Sequence, residues 1–397
     1  MNISFDIYQT LGLAAVSLLL GKWLRRRVSF FERFCIPAPV IGGLVFSLLT
    51  LALHGLCDVH VTFDDTLKNV CMVLFFTSVG FQADLQVLRQ GGRPLLCLLV
   101  LVLCLIVLQN AVAIGVGSLV GLDALTSLTS GSIPMIGGHG TAGAFGPLLE
   151  QCGVYGATTI ATAAATFGLV GGSIIGGPIA EHLIRRHRLQ TQATDPGASD
   201  RPLAEAKAES TPSAPYSRAV FILVIASALG TLVSKALDAT GLSFPIYIGG
   251  MLVAAVWRNV GSNYRPLQVQ KQQVNDFGGI CLSLFLGIAM VTLRLWELSD
   301  LALPLLAMLT CQLVLMALYA RFVVFRVMGR NYDAAVLTAG TCGFGMGATP
   351  NAMANMQAVC SRYSYSVQAF LLIPIVGSMF VDFINSFSVT LLINMLK

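Results

Sequence analysis

Residues 333–356 read DAAVLTAGTCGFGMGATPNAMANM, and this stretch decides the fold. It is apolar enough for a membrane, yet Gly340, Gly343, Gly345, Gly347 and Pro350 make it a poor continuous helix. Asn351 and Asn355 add polar side chains, and charge is nearly absent. Backbone that cannot pair with itself is tolerated at membrane depth only where protein or a watery cavity surrounds it. A second stretch, residues 125–147, LTSLTSGSIPMIGGHGTAGAFGP, has the same character. The two read as broken or re-entrant hairpins lining one site, with the rest of the chain holding them together.

That surrounding chain is built for lipid. Of 397 residues, 55% are apolar and only 11% charged, with a mean hydropathy of +0.78. Soluble domains carry about 25% charged residues, so the fold class is an all-α polytopic membrane protein. The net charge of +5 is scattered between apolar runs, which makes it a topology signal and argues against a nucleic-acid surface. The ten cysteines lie mostly within apolar segments and lack CxxC spacing, so neither a metal site nor a disulfide framework is expected. The basic cluster follows the first apolar run instead of preceding it, the mark of a retained helix and not of a cleaved signal.

Spans are expected at 7–20, 37–54, 70–83, 94–120 and 157–183, then at 217–237, 244–256, 277–293, 301–320 and 366–396. This gives an N-terminal repeat over 1–184 and a C-terminal repeat over 217–397, each with five spans and one hairpin. A polar linker over 185–216 joins them. Loops rich in Arg and Lys (Lys22 to Arg27, Arg89/Arg93, Arg185 to Arg188, Arg258/Arg265/Lys271, Arg321/Arg326/Arg330) alternate with loops carrying Asp58/Asp64/Asp65, Asp123, Asp238 and Glu297/Asp300. The positive-inside rule then places both termini outside and the linker in the cytoplasm.

An odd number of spans per half turns the halves opposite ways in the membrane. Three short matches recur in order at nearly one offset. Leu128-Thr129-x-Gly131-Ser132 returns as Leu337-Thr338-x-Gly340-Thr341, and Ile41-Gly42-Gly43 as Ile248-Gly249-Gly250. Cys71-x-x-Leu74-Phe75 returns as Cys281-x-x-Leu284-Phe285. Inverted repeats with interrupted helices at matching positions characterise secondary transporters with a midplane site. The start of a broken helix presents unpaired N–H groups and a positive dipole end to an anion. Unwound carbonyls and Thr, Asn or Asp oxygens suit a small cation.

The pattern resembles the bacterial sodium/glutamate symporter family. The resemblance is carried by Gly137-Gly138-His139-Gly140-Thr141, by Cys342-Gly343-Phe344-Gly345 with Gly347-Ala348-Thr349-Pro350, and by Ala354-Asn355-Met356-Gln357. It continues in Asn331 to Leu337, Leu282-Ser283-Leu284-Phe285-Leu286 and Thr166 to Val170. It covers nearly the whole chain except the linker. It implies sodium-driven uptake of L-glutamate across the bacterial inner membrane, inverted five-span halves, a homodimer, and by analogy an elevator-like movement.

The residues expected at the substrate are His139, Gly140, Thr141, Thr349, Pro350, Asn351 and Asn355; packing of the hairpin is an equal reading for His139, and helix capping is the alternative for Thr141, Thr349, Asn351 and Asn355. Asp382, Asn385, Thr338 and Asn110 are the candidate sodium ligands. A lone carboxylate such as Asp382 within an apolar span is expensive without a cation or donors; a sodium ligand is favoured there over an ion pair or a proton carrier. Gln109 and Asn110 also read as structural glue between helices. Asp123 and Asp333 read as caps, Arg294 and Trp296 as an interfacial anchor, and the glycine-rich 168–178 as a close-packing stripe. Neither a phosphate loop nor a nucleophile–base pair is visible, so an enzyme is not expected. The alternatives are another carboxylate, a proton as coupling ion, or a channel or sensor built on the same hairpins.

Overall fold

Lipid offers backbone groups no partner but their own chain, so the apolar runs become helices. The computed structural model describes residues 2–34, 36–57, 59–84, 92–189, 216–239, 244–261, 270–298 and 301–397. The first half contains α1 (Ile7–Arg27), a short α2 (Ser29–Arg33), α3 (Ala38–Cys57), α4 (Thr66–Gly80) and α5 (Gly92–Leu119). The first hairpin follows as α6 (Ala124–Leu128), α7 (Ser132–Met135) and α8 (Gly138–Gln151), before α9 (Ala157–His187). The second half contains α10 (Tyr216–Asp238), α11 (Ile246–Gly261), α12 (Lys271–Val291) and α13 (Ala302–Tyr319). A π-helical stretch, Ala320–Val324, carries α13 into α14 (Phe325–Val327). The second hairpin is α15 (Tyr332–Gly345) and α16 (Thr349–Cys360). The last segment is α17 (Val367–Ile375), a π-helical stretch at Val376–Phe380, and α18 (Val381–Leu396).

Each of the first nine spans expected from sequence overlaps one of these helices, and the last, 366–396, covers α17, the π-helical stretch and α18. Among the described residues, seven helices are long and apolar enough to cross a membrane, while α4, α11 and α18 are shorter apolar helices. Helix ends run further than hydropathy suggests. α1 continues through Arg25, Arg26 and Arg27, and α9 through Arg185, Arg186 and His187, because long basic side chains keep their heads in water while their stems extend the helix. The linker expected at 185–216 falls, over 190–215, outside the described residues. Asp58, Arg89, Arg265 and Asp300 lie outside them too.

One feature has no counterpart in the sequence reading. β1 (Asn2–Phe5) pairs in parallel with β2 (His60–Phe63), and the Phe5 and Phe63 rings stack at 5.3 Å. Both strands alternate polar and apolar residues, but four residues are the shortest run in which alternation marks a strand, and the long apolar runs beside them dominate the pattern. The pairing ties the chain start to the segment between α3 and α4.

The helix contacts repeat between the halves. α1 packs on α3 as α10 packs on α11, α3 packs on α12 as α11 packs on α4, and α4 meets α12. The closest approaches recur at nearly the same sequence offset. A Cβ at Gly21 would stand 1.9 Å from the Ala38 carbonyl oxygen and one at Gly42 1.7 Å from that of Ser17. In the second half, a Cβ at Gly249 would stand 2.0 Å from the Gly230 carbonyl oxygen, and one at Gly230 2.3 Å from Gly250 Cα. Small residues let helix backbones touch where no hydrophobic force draws helices together.

The remaining helices gather around a second body. Its apolar core joins α5 (Leu98, Leu105, Ile106), α13 (Met316), α15 (Val336, Leu337) and α17 (Ile373). A further cluster bridges the two groups through Phe76, Phe145, Tyr247 and Phe285; Tyr247 stacks on Phe76 at 4.0 Å and lies edge-on to Phe145.

Candidate functional site

The two hairpins bring their tips together. Gly138, at the turn of the first, has φ +60°, and a Cβ there would lie 2.6 Å from the Gly347 carbonyl oxygen of the second. Only glycine combines that left-handed backbone with so close an approach. A cavity of about 280 Å³ opens beside the contact, near the lower end of pockets that hold small ligands. His139, Gly140 and Thr141 line it from the first hairpin, Thr349, Pro350 and Asn351 from the second, and Asp382 from the start of α18.

The first hairpin is broken twice. α6 stops at Leu128, and α7 restarts at Ser132 behind Gly131, which has no side chain to cap it. Asn110 of α5 fills the gap: its Oδ1 accepts from Ser132 N at 2.9 Å and its Nδ2 donates to Ser132 Oγ at 2.9 Å. Both ends of the Asn110 amide are thus used on Ser132. The second break falls at 136–137, after which α8 starts with no side-chain cap. Its first-turn N–H groups and positive dipole end therefore meet the cavity at Gly138, His139 and Gly140.

Oxygens near this tip are left without partners. Thr141 Oγ1 and Asn385 Oδ1 are buried and unbonded, while Asn385 Nδ2 donates to the Ser132 carbonyl at 3.2 Å. Thr141 and Asn385 flank Gly137, where a Cβ would stand 2.5 Å from Thr141 Oγ1 and 2.7 Å from Asn385 Nδ2. A buried oxygen without a donor costs about 1–3 kcal/mol, which makes both candidates for a ligand, although only Thr141 lines the cavity. His139 is tied instead. Its Nε2 lies 3.0 Å from Thr166 Oγ1, and Thr166 gives its own proton to the Thr162 carbonyl. His139 Nε2 is accordingly the donor.

The second hairpin is held differently. α9 carries Gly168, Gly172 and Gly176 one turn apart, and Cβ atoms there would lie 2.4 Å from Met346 O, 2.7 Å from Cys342 O and 2.2 Å from Asn355 Nδ2. The glycine-rich 168–178 is thus a close-packing stripe. It lets the hairpin's asparagines reach the carbonyls of α9. Asn351 Nδ2 donates to Leu169 O at 2.9 Å, and its Oδ1 accepts from Ser173 Oγ. Asn355 Nδ2 donates to Gly172 O at 3.0 Å and Ala339 O at 3.2 Å. Asn355 lies outside the cavity lining. Gln109 Nε2 donates to the Gly345 carbonyl at 2.7 Å, and Gln312 Nε2 to the carbonyl of Gln109 at 2.7 Å. Gln109 is therefore glue between α5, α13 and the hairpin.

The other expected residues separate likewise. Thr338 Oγ1 donates to Ala334 O at 2.7 Å within its own helix and lies outside the cavity lining. Asp123 caps α6 through Thr126 N. Asn331 caps α15, and Asp333 accepts from Ser366 Oγ at 2.6 Å. Trp296 stacks on His54 at 4.4 Å.

Sequence reasoning missed Ser132, Thr166 and Ser173, which position the hairpins, and the π-helical stretch that ends just before Asp382. Gly377 in that stretch leaves room for Thr349, whose Oγ1 would be 2.8 Å from a Cβ there. It also missed the apolar wall of Phe75, Phe76, Leu282 and Leu286. A signal existed: Phe75 sits in one of the repeated motifs, and Leu282 and Leu286 share a helix face.

A polytopic helical protein whose interrupted hairpins meet at an interior cavity is, by class, a membrane transporter. A model of the sodium/glutamate symporter family matches residues 3–365. The chain is 42% identical over 391 residues to the sodium/glutamate symporter of Escherichia coli K12, covering 97% of each protein. It is 39% identical over 392 residues to that of Haemophilus influenzae, covering 97% of this chain and 96% of the relative. The chain belongs to the sodium/glutamate symporter family.

Proposed function

We propose that this protein carries L-glutamate across the bacterial inner membrane together with sodium, as a secondary transporter powered by the sodium gradient. The supporting observation is one cavity that joins an uncapped helix N-terminus to a half-buried carboxylate, Asp382. α8 offers its first-turn N–H groups and Thr141 to a substrate carboxylate, and Thr349 and Pro350 close the opposite side. Asp382 supplies oxygens for sodium from the cavity lining, with Asn385 behind it outside the lining, so anion and cation sit close enough to stabilise each other. Asn110 and Thr338 lie behind these groups: Asn110 positions Ser132, and the Thr338 hydroxyl bonds back to its own helix. Asn351 and Asn355 serve as the clasp that fastens the second hairpin to α9.

The arms of the second hairpin have 14 and 12 residues, roughly 20 Å of helix against a hydrocarbon core of about 30 Å. That shortness supports a re-entrant course for each hairpin. The recurring helix contacts support two inverted halves, 1–184 and 217–397, around a cytoplasmic linker with both termini outside. On this reading the hairpin body moves against the α1–α3–α10–α11 body to expose the cavity alternately, and the unit is a homodimer. Uptake of labelled L-glutamate into proteoliposomes is the test. Accumulation that needs an inward sodium gradient, and collapses with a sodium ionophore, is expected. Accumulation driven equally by a proton gradient without sodium would overturn the coupling ion.

A further inference from the structure

A second cavity, of about 340 Å³, lies between the end of α9 and the junction of α13 and α14. Arg186, Arg321, Arg326 and Arg330 line it, with Phe322 and Phe325. Among the described residues, none of these arginines pairs with a carboxylate; Glu181 is taken by Arg185 and Arg362. Four guanidinium groups, from α9, from the α13–α14 junction and from the turn after it, line one hollow although like charges repel. They are also held. Arg321 donates to His182 Nε2 at 3.1 Å. Arg321 and Arg326 each stack on Phe322, with Cζ 5.4 and 5.6 Å from the ring centre. The π-helical stretch at Ala320–Val324 adds a residue to that turn, which re-aims the side chains following it.

The surface beside the cavity is apolar. Val314, Leu318, Phe322 and Val327 are exposed by 52%, 51%, 44% and 52%, and Val314, Leu318 and Phe322 recur one turn apart. Arginines at the end of an apolar helix sit at headgroup level, with such a stripe facing acyl chains. A basic cup opening onto a greasy track fits a phosphate that carries tails. We infer that this cavity binds the phosphoryl headgroup of an anionic phospholipid such as cardiolipin or phosphatidylglycerol, with its acyl chains along α13. Arg330, in the cup wall, has φ 56° and directly precedes Asn331, the cap of α15. A bound lipid would therefore brace the start of the second hairpin. The inference does not depend on which substrate or ion is transported.

Native mass spectrometry of the full chain in detergent tests it, with cardiolipin and phosphatidylcholine as competing probes. Cardiolipin is expected to be retained in preference to phosphatidylcholine and to survive millimolar inorganic phosphate. The double variant Arg321→Gln/Arg326→Gln should weaken retention about tenfold or more, the size expected for losing two basic contacts to an anionic lipid. Arg25→Gln/Arg26→Gln, equal in charge but set in a run on α1, should leave it unchanged. Equal loss in both double variants would reduce the effect to net charge and overturn the site. Displacement by inorganic phosphate would make the cup an aqueous oxyanion site and overturn the lipid assignment. If the glutamine pair fails to fold, the unaltered chain still decides: equal retention of the two lipids overturns the proposal.

Discussion

The two hairpins are built from similar sequence but spend their polar groups in opposite ways. In both, the second arm starts without a side-chain cap; in the first, the leading arm is broken at 129–131, and Thr141, with nearby Asn385 of α18, keeps an unbonded oxygen at the tip. In the second, α15 runs unbroken for 14 residues, and Asn351 and Asn355 are occupied by α9 carbonyls. Thr141 of the first hairpin lines the cavity with its oxygen unspent; Asn351 and Asn355 fix the second to its neighbour, which leaves Thr349 as that hairpin's hydroxyl in the lining. A polar residue in a membrane hairpin is therefore a ligand candidate only after its packing partners are counted.

The largest effect is expected where the cavity holds its one acid. Asp382→Asn should weaken sodium activation of uptake by on the order of tenfold or more, since each decade corresponds to about 1.4 kcal/mol of lost cation binding, while glutamate recognition at saturating sodium changes less. Sodium titration of initial rates checks this, and wild-type sodium activation in the variant would remove Asp382 from the ion site. Next comes Gly138→Ala, which places a Cβ against the Gly347 carbonyl in left-handed backbone. It should separate the tips and cost about 1–3 kcal/mol in strain, read as a lower melting temperature together with lost uptake. An unperturbed variant would show that the tips do not need to touch.

Smaller effects sharpen the contrast. Asn355→Ala leaves the Gly172 and Ala339 carbonyls without this donor, at about 1–3 kcal/mol of stability. Its glutamate affinity should stay near wild type, as isothermal titration would report. The smallest effect is expected from Thr338→Val, whose hydroxyl only bonds back to its own helix. Stability and sodium activation should change within about 0.5 kcal/mol, and a large loss of sodium activation would return Thr338 to the ion site.

Much of this was legible in the sequence. Glycine and proline crowded into uncharged apolar runs marked both places where helices are interrupted, because such backbone holds a continuous helix poorly. Their limits were less legible: the first hairpin was expected to end at Pro147, yet α8 continues to Gln151 with that proline inside. Pro147 removes one bond, to the Gly143 carbonyl, and a tightly packed arm survives that loss. Asn110 illustrates what a linear reading cannot supply. Its amide completes a helix start 22 residues away, and nothing at either position names the other. Asn351 and Asn355 were expected at the substrate because they are polar and intramembrane; only the packing on α9 shows their amides turned to its backbone. The glycine stripe was read as packing, but not that its partner was the second hairpin.

The account rests on the unequal roles of the two hairpins, and a paired binding measurement tests it most directly. Glutamate affinity at saturating sodium and melting temperature would be measured for Thr141→Val and Asn355→Ala side by side. Thr141→Val should weaken glutamate binding several-fold, about 1 kcal/mol for a lost hydrogen bond, with little change in melting temperature. Asn355→Ala should lower the melting temperature and leave the affinity intact. The reverse pattern would place the substrate against the second hairpin and contradict the account.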